Sequence, residues 1–203
     1  MPERSSRGLP NKLLIRWVFK AFDLLLGPRL FQLFWHLGTR VTRLTEMELE
    51  AASAVFGPSA IRYDSVRIAE GRLLSLVFKR NKSRAFTTFH TINLPYSGHH
   101  AREHLNILIH ELVHVCQFEV AGSIYIPQGL RAQRSKEGYN YGDPDKLVRD
   151  REGGKRYRDY NREQQGKIAE DYYDRVVAQS LPESDTLRQA YEPLMDELRA
   201  RDL

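Results

Sequence analysis

A chain of 203 residues, 41% hydrophobic and 28% charged, is long enough to bury one sizeable core and too apolar to stay disordered. Its single cysteine, Cys116, excludes a disulfide-stapled domain. The formal charge of +5 is interspersed with 26 acids and forms no basic stripe with interleaved aromatics, so no nucleic-acid partner is expected.

Residues 1–10 read as a polar end. Two aromatic-rich helical segments follow over 11–38, parted at Gly27-Pro28, where helix propagation fails. Arg16, Lys20 and Asp23 recur at spacings of four and three, which marks one face of an amphipathic helix. They also break the run before it reaches the ~18 uncharged apolar residues of a membrane span. The same charges spoil it as a signal-peptide core. No signal peptide is evident, which leaves cytoplasmic residence and export by a non-classical route both open. Residues 11–38 can pack on the rest of the chain, lie on a membrane as a peripheral anchor, or meet a secretion-system partner. The domain division expected is therefore 1–40, an amphipathic helical extension, and 41–203, the main domain.

Thr45, with Glu48 three residues on, forms a capping-box signature for a helix that stops at Gly57-Pro58. Residues 61–68, 73–78 and 85–94 read as short β-rich runs. A small sheet is expected, with 85–94 as the edge strand able to hold an extended peptide. The fold class is α+β: a small antiparallel sheet packed on a central helix and further C-terminal helices.

That central helix covers Leu105 to Phe118 and contains His-Glu-Leu-Val-His at 110–114. At about 100° and 1.5 Å per residue, His110 and His114 share a face about 6 Å apart, as two ligands of one tetrahedral metal ion require. Glu111 projects about 100° away from His110 and can take a proton from a metal-activated water. Polar groups are expelled from buried helices unless paired or bound to metal, and these three stand among Leu108, Ile109, Leu112, Val113 and Val115. The cofactor expected is Zn2+. Cys116 points to another helix face and reads as a small buried hydrophobe. Asn106 and Gln117 flank the histidine face and can orient an imidazole, while His99, His100 and His104 read as rim residues.

Residues 123–159 read as irregular, with a short helix near 144–151. A periodic helix follows from about 161 to 179, and a charged one over 184–201 closes the chain. A catalytic zinc needs a third protein ligand. Glu163 and Glu170 fall within about 20° on the 161–179 helix but about 10.5 Å apart along its axis, so only one can reach the ion, and geometry from sequence does not choose. Tyr172 and Tyr173 read as core residues, with a hydroxyl facing a developing oxyanion as their other possible role.

The arrangement resembles the gluzincin zinc metallopeptidases. More narrowly, residues 44–57, 63–68, 88–94 and 110–117 resemble the metallopeptidase-like proteins related to the DUF4157 group, some of them Vgr-related and linked to bacterial secretion or toxin systems. The resemblance implies Glu163 as the third ligand, since Asn161 to Ile168 matches the segment that opens on the distant Glu. Lys167 departs from the Glu-x-x-x-Asp pattern of many gluzincins, which Glu170 satisfies through Asp174. The function implied is zinc-dependent peptide-bond hydrolysis with Glu111 as general base, on a peptide or protein substrate. The alternative is an inactive zincin-fold structural or interaction protein, with metal stoichiometry as the discriminator.

Overall fold

The computed structural model describes residues 12–203. Helices α1 (Lys12–Leu24) and α2 (Gly27–Leu37) precede strand β1 (Arg40–Thr42) and helix α3 (Glu46–Phe56). Gly27-Pro28 separates the first two because proline fits the opening turn of a helix, where its missing N–H is not needed. α3 carries the expected capping box: the Glu48 N–H donates to the Thr45 hydroxyl, and Glu48 Oε2 accepts from the Thr45 N–H at 2.7 Å.

Strand β2 (Arg67–Glu70) leads into helix α4 (Arg72–Arg80), then strands β3 (Phe86–Thr88) and β4 (Thr91–Asn93). Two expectations are corrected here. Residues 73–78, expected as a strand, are helical, because a short leucine-rich run carries no period that separates helix from strand. Leu74 and Phe78, one turn apart, bury together against Ala69, with Trp35, Val41 and Phe86 packed around them. Residues 85–94, expected as one strand, fold back as the β3–β4 hairpin, with Phe89 at φ +59° in its two-residue turn. The Phe89 ring packs on Phe22, Phe31 and Phe118, and that burial offsets the unfavourable backbone geometry.

The sheet order is β1-β2-β4-β3. Its outer pairs are antiparallel, while β2 and β4 run parallel because α4 leads into β3, which carries the chain back before β4. β3 is thus an edge strand.

Helix α5 (Leu105–Ala121) ends at Gly122, φ +73°. The stretch 123–159 is more regular than its composition suggests: it holds α6 (Tyr125–Gln133) and α7 (Pro144–Glu152). Helix α8 (Arg162–Tyr172), capped by Asn161, runs into a π-helical turn at Tyr173–Val177, and α9 (Thr186–Arg199) follows. The main core gathers around α5, with Leu108, Ile109, Leu112, Val113 and Cys116 buried against α3, α8 and α9. By length and composition Leu105–Gln133 could cross a membrane, yet most of it is buried in the protein. α1 and α2 lie on the outside of this body. Asp23 takes hydrogen bonds from the N–H and hydroxyl of Ser123, and Trp35 donates to Asn93 at 2.8 Å.

Candidate metal centre

α5 and α8 make the most extensive helix pairing in the molecule, and the site lies between them. One turn of α5 separates His110 and His114, whose ring centroids stand 5.1 Å apart. α8 presents Glu163 from its first turn: Oε2 lies 3.5 Å from His110 Nε2 and Oε1 lies 3.7 Å from His114 Nε2. One ligand atom from each of these three buried residues falls within 4.8 Å of the others. The axial separation expected between Glu163 and Glu170 sends the latter elsewhere. Glu170 Oε2 lies 3.1 Å from Nδ1 of His110, on the ring edge opposite Glu163.

Each imidazole therefore has its Nε2 turned to Glu163 and its Nδ1 fixed by a separate acceptor. For His114 that acceptor is Gln117 Oε1 at 2.8 Å. The Gln117 amide in turn donates to the Arg162 carbonyl and to Gln165 Oε1, which ties the α5 histidines to the start of α8. A hydrogen bond of this kind fixes the tautomer that leaves Nε2 free for metal. Of the two flanking amides, Gln117 is at the site. Asn106 reaches only Asp174, at 3.5 Å.

Two glycines make the approach possible. A Cβ on Gly166 would stand 2.6 Å from Cε1 of His110, and one on Gly129 would stand 3.3 Å from Glu163 Oε1. The gap in side-chain volume at Gly166 is filled by the imidazole itself.

The field favours positive charge. Burial opposes protonation of His110, but the carboxylates of Glu163 and Glu170, which face its two ring nitrogens, overcome it and push its pKa up to about 10. His114 moves in the same direction, burial again being outweighed, here by Glu163. The Glu163 carboxyl is held far below the usual carboxylate range: burial would raise it, and the two histidines reverse that. Two imidazoles and a carboxylate that stabilise cationic charge in a water-poor site fit a divalent metal of zinc's ligand preference.

Glu111 is not one of the three donors, and it lines the same cleft beside the two histidines. Thr87 of β3 donates to its Oε2 at 2.7 Å. Burial raises the Glu111 pKa, and the two histidines and Thr87 limit the rise. A carboxylate made more basic by burial suits proton abstraction near neutral pH. Beside it lies a cleft of about 510 Å³, floored by His110, Glu111 and His114 and walled by Phe86, Thr87 and Thr88 on one side and Ile126 and Leu130 on the other.

The sequence reading missed three contributors. Thr87 comes from the hairpin read as a plain strand. Gln133 donates to Glu163 Oε1 at 3.0 Å from α6, inside the stretch read as irregular. Tyr139 lines the cleft, with its ring 5.7 Å from that of His110. Tyr172, by contrast, is buried against Glu192, to which it donates at 2.8 Å, and neither it nor Tyr173 lines the cleft. His99 and His100 stand on the rim of the cleft. Lys167 is held by Glu170 and Asp171 at 2.7 and 2.9 Å.

No protein-family model matches the chain, and no curated protein or solved structure matches it. The site thus stands on its own geometry. A buried pair of histidines on one helix, the intervening Glu and a distal Glu from a second helix form a zincin-type metal site, in the two-histidine, one-glutamate form of the gluzincin zinc metallopeptidases. Its ligand geometry is typical of a site for a single Zn2+, and the arrangement is one capable of peptide-bond hydrolysis.

Proposed function

We propose that His110 and His114, through Nε2, and Glu163, through its carboxylate, hold the zinc, and that Glu111 is the general base of a peptidase. The convergence of three buried donors beside an open cleft carries this reading. Zinc bound there supplies a Lewis acid that lowers the pKa of a water and polarises the scissile carbonyl. Glu111 receives the proton of the attacking water and passes it to the departing amine, with Thr87 keeping its carboxylate turned toward the cleft. Glu170 and Gln117 hold the two rings in register. An extended peptide adds to β3, which has no strand on its outer side and borders the cleft, and there it meets the Tyr125 hydroxyl, which bonds the Thr87 carbonyl and the Phe89 N–H at 3.0 Å. Ile126 and Leu130 face that path and favour an apolar side chain next to the cleaved bond.

All of these residues lie within 41–203, which supports treating residues 1–40 as an appendage to the catalytic domain. Kinship with the DUF4157-related and Vgr-related proteins, and the secretion-system or toxin partner it implies, is proposed on the sequence motifs alone.

The test is Glu111→Gln assayed against a quenched-fluorescent peptide library. The expected result is a loss of at least ~100-fold in kcat with zinc content unchanged. Full activity of the variant on every substrate cut by the parent, at equal zinc content, would overturn the assignment.

A further inference from the structure

The N-terminal hairpin wears its amphipathicity inside out. In α2 the side turned to the protein is polar and aromatic: Gln32 donates to Thr91 at 3.0 Å, His36 lies 2.9 Å from the same hydroxyl, and Trp35 donates to Asn93. Leu30, Leu33, Phe34 and Leu37 fall within an arc of about 100° on the other side. All four are exposed, Phe34 by 71% and Leu37 by 79%. α1 repeats the pattern. Asp23 faces inward to Ser123, while Leu14, Trp17, Val18 and Leu24 share an outward arc of about 120°. A helix that meets only water on its free side places its apolar stripe against the core. Between Leu14 and Leu37 stand twelve exposed large hydrophobic side chains, against six across the other described residues, so the patch is confined to this hairpin.

Charge identifies what covers it. Residues 1–40 contain seven Lys or Arg and two acids, and so carry the whole formal charge of +5; residues 41–203 carry 24 of each sign. Asp23 is the one acid between Leu14 and Thr39, and its carboxylate is turned inward to Ser123. Arg16, Lys20 and Arg29 are exposed, and the helical wheel puts Lys20 and Arg29 on the flanks of the apolar arcs. A second copy of the chain would bring those cations against their own kind. An anionic bilayer meets both features, taking the leucines and aromatics into its acyl boundary and the flanking cations at its phosphates. We propose that the α1–α2 hairpin docks the protein peripherally on an anionic lipid surface.

The test is flotation of the full chain with vesicles of phosphatidylcholine alone and of phosphatidylcholine containing 30% phosphatidylserine, with light scattering of the free protein alongside. The proposal expects at least tenfold stronger partition onto the anionic vesicles, weakened by salt. It also expects a loss of at least tenfold in Leu25→Glu/Phe34→Glu, and loss of the anionic preference in Arg16→Glu/Lys20→Glu/Arg29→Glu, both with parental zinc content. Partition that ignores lipid charge overturns it. So does absence of binding to either vesicle, and a dimer that the Leu25→Glu/Phe34→Glu pair dissolves would then assign the face to a second copy. The comparison of the two vesicles with the parent chain decides the matter even where a variant fails to fold.

Discussion

Replacing Gly166 with alanine separates the demands of the helix from those of the metal. In an ordinary helix the change is favourable by ~0.5–1 kcal/mol, because alanine loses less backbone freedom on folding. Here the new methyl would stand 2.6 Å from Cε1, 2.7 Å from Nε2 and 2.9 Å from Nδ1 of His110. Carbon atoms rest at ~3.5–4 Å, so the ring has to withdraw by about 1 Å. The imidazole is buried and held on both edges by carboxylates, so the withdrawal disturbs α5, at an overpacking cost of ~1–3 kcal/mol. The net effect on the metal-free fold is a modest destabilisation of ~1 kcal/mol. The effect on metal is larger in proportion, since ligand positions are set to within ~0.2 Å. Zinc affinity falls ~10–100-fold, which corresponds to ~1.4–2.7 kcal/mol. Competition against a chromophoric chelator measures this directly, and thermal melts with and without zinc separate it from folding. Gly129→Ala is the milder comparison: its methyl would stand 3.3 Å from Glu163 Oε1, a tight contact that a shift of a few tenths of an ångström (~0.3 Å) relieves, and less than a tenfold loss is expected. Parental zinc affinity in Gly166→Ala would refute the claim that His110 Nε2 is a ligand held by close helix packing.

Glu163→Ala abolishes zinc retention after dialysis, whereas Glu170→Ala, which removes the acceptor at His110 Nδ1 and one partner of Lys167, weakens affinity ~10–100-fold; the reverse order by metal analysis would exchange their roles. Glu48 gives a pH signature away from the site. Burial would raise its pKa, but Arg102, donating at 2.6 and 2.8 Å, holds it below the usual carboxyl range. A depressed folded pKa contributes stability above the unfolded value and loses it as pH falls through the folded one. Glu48→Gln therefore costs ~2 kcal/mol in urea melts at pH 7, with the gap to the parent closing below about pH 4. A gap independent of pH contradicts the ion-pair account.

The features legible in the sequence were those decided by neighbours along the chain. The histidine spacing, the Thr45–Glu48 box and the Gly27-Pro28 break depend on helical period and local capping, and each is present. α4 was read as a strand because Leu-Leu-Ser-Leu-Val-Phe states no period, and the deciding event was the burial of Leu74 and Phe78 in a pocket built by distant residues. Thr87, Gln133 and Tyr139 were invisible for the same reason: each reaches the site from a separate element, and nothing in its own neighbourhood marks it. Gly166 did leave a signal. A glycine in the middle of a strongly helical stretch costs ~1 kcal/mol relative to alanine, and such a cost points to a close approach from outside the helix. The N-terminal hairpin was ambiguous in sequence because periodicity shows that two faces differ without showing which one turns outward.

The account rests on a metal ion held between α5 and α8, and metal analysis of the natively purified chain combined with zinc-edge X-ray absorption tests it most directly. The predicted result is about one zinc per chain, with two imidazole nitrogens at ~2.0–2.1 Å, one carboxylate oxygen at ~2.0–2.2 Å and an open position. A chain that carries no transition metal, and takes up none on titration while folded, contradicts it.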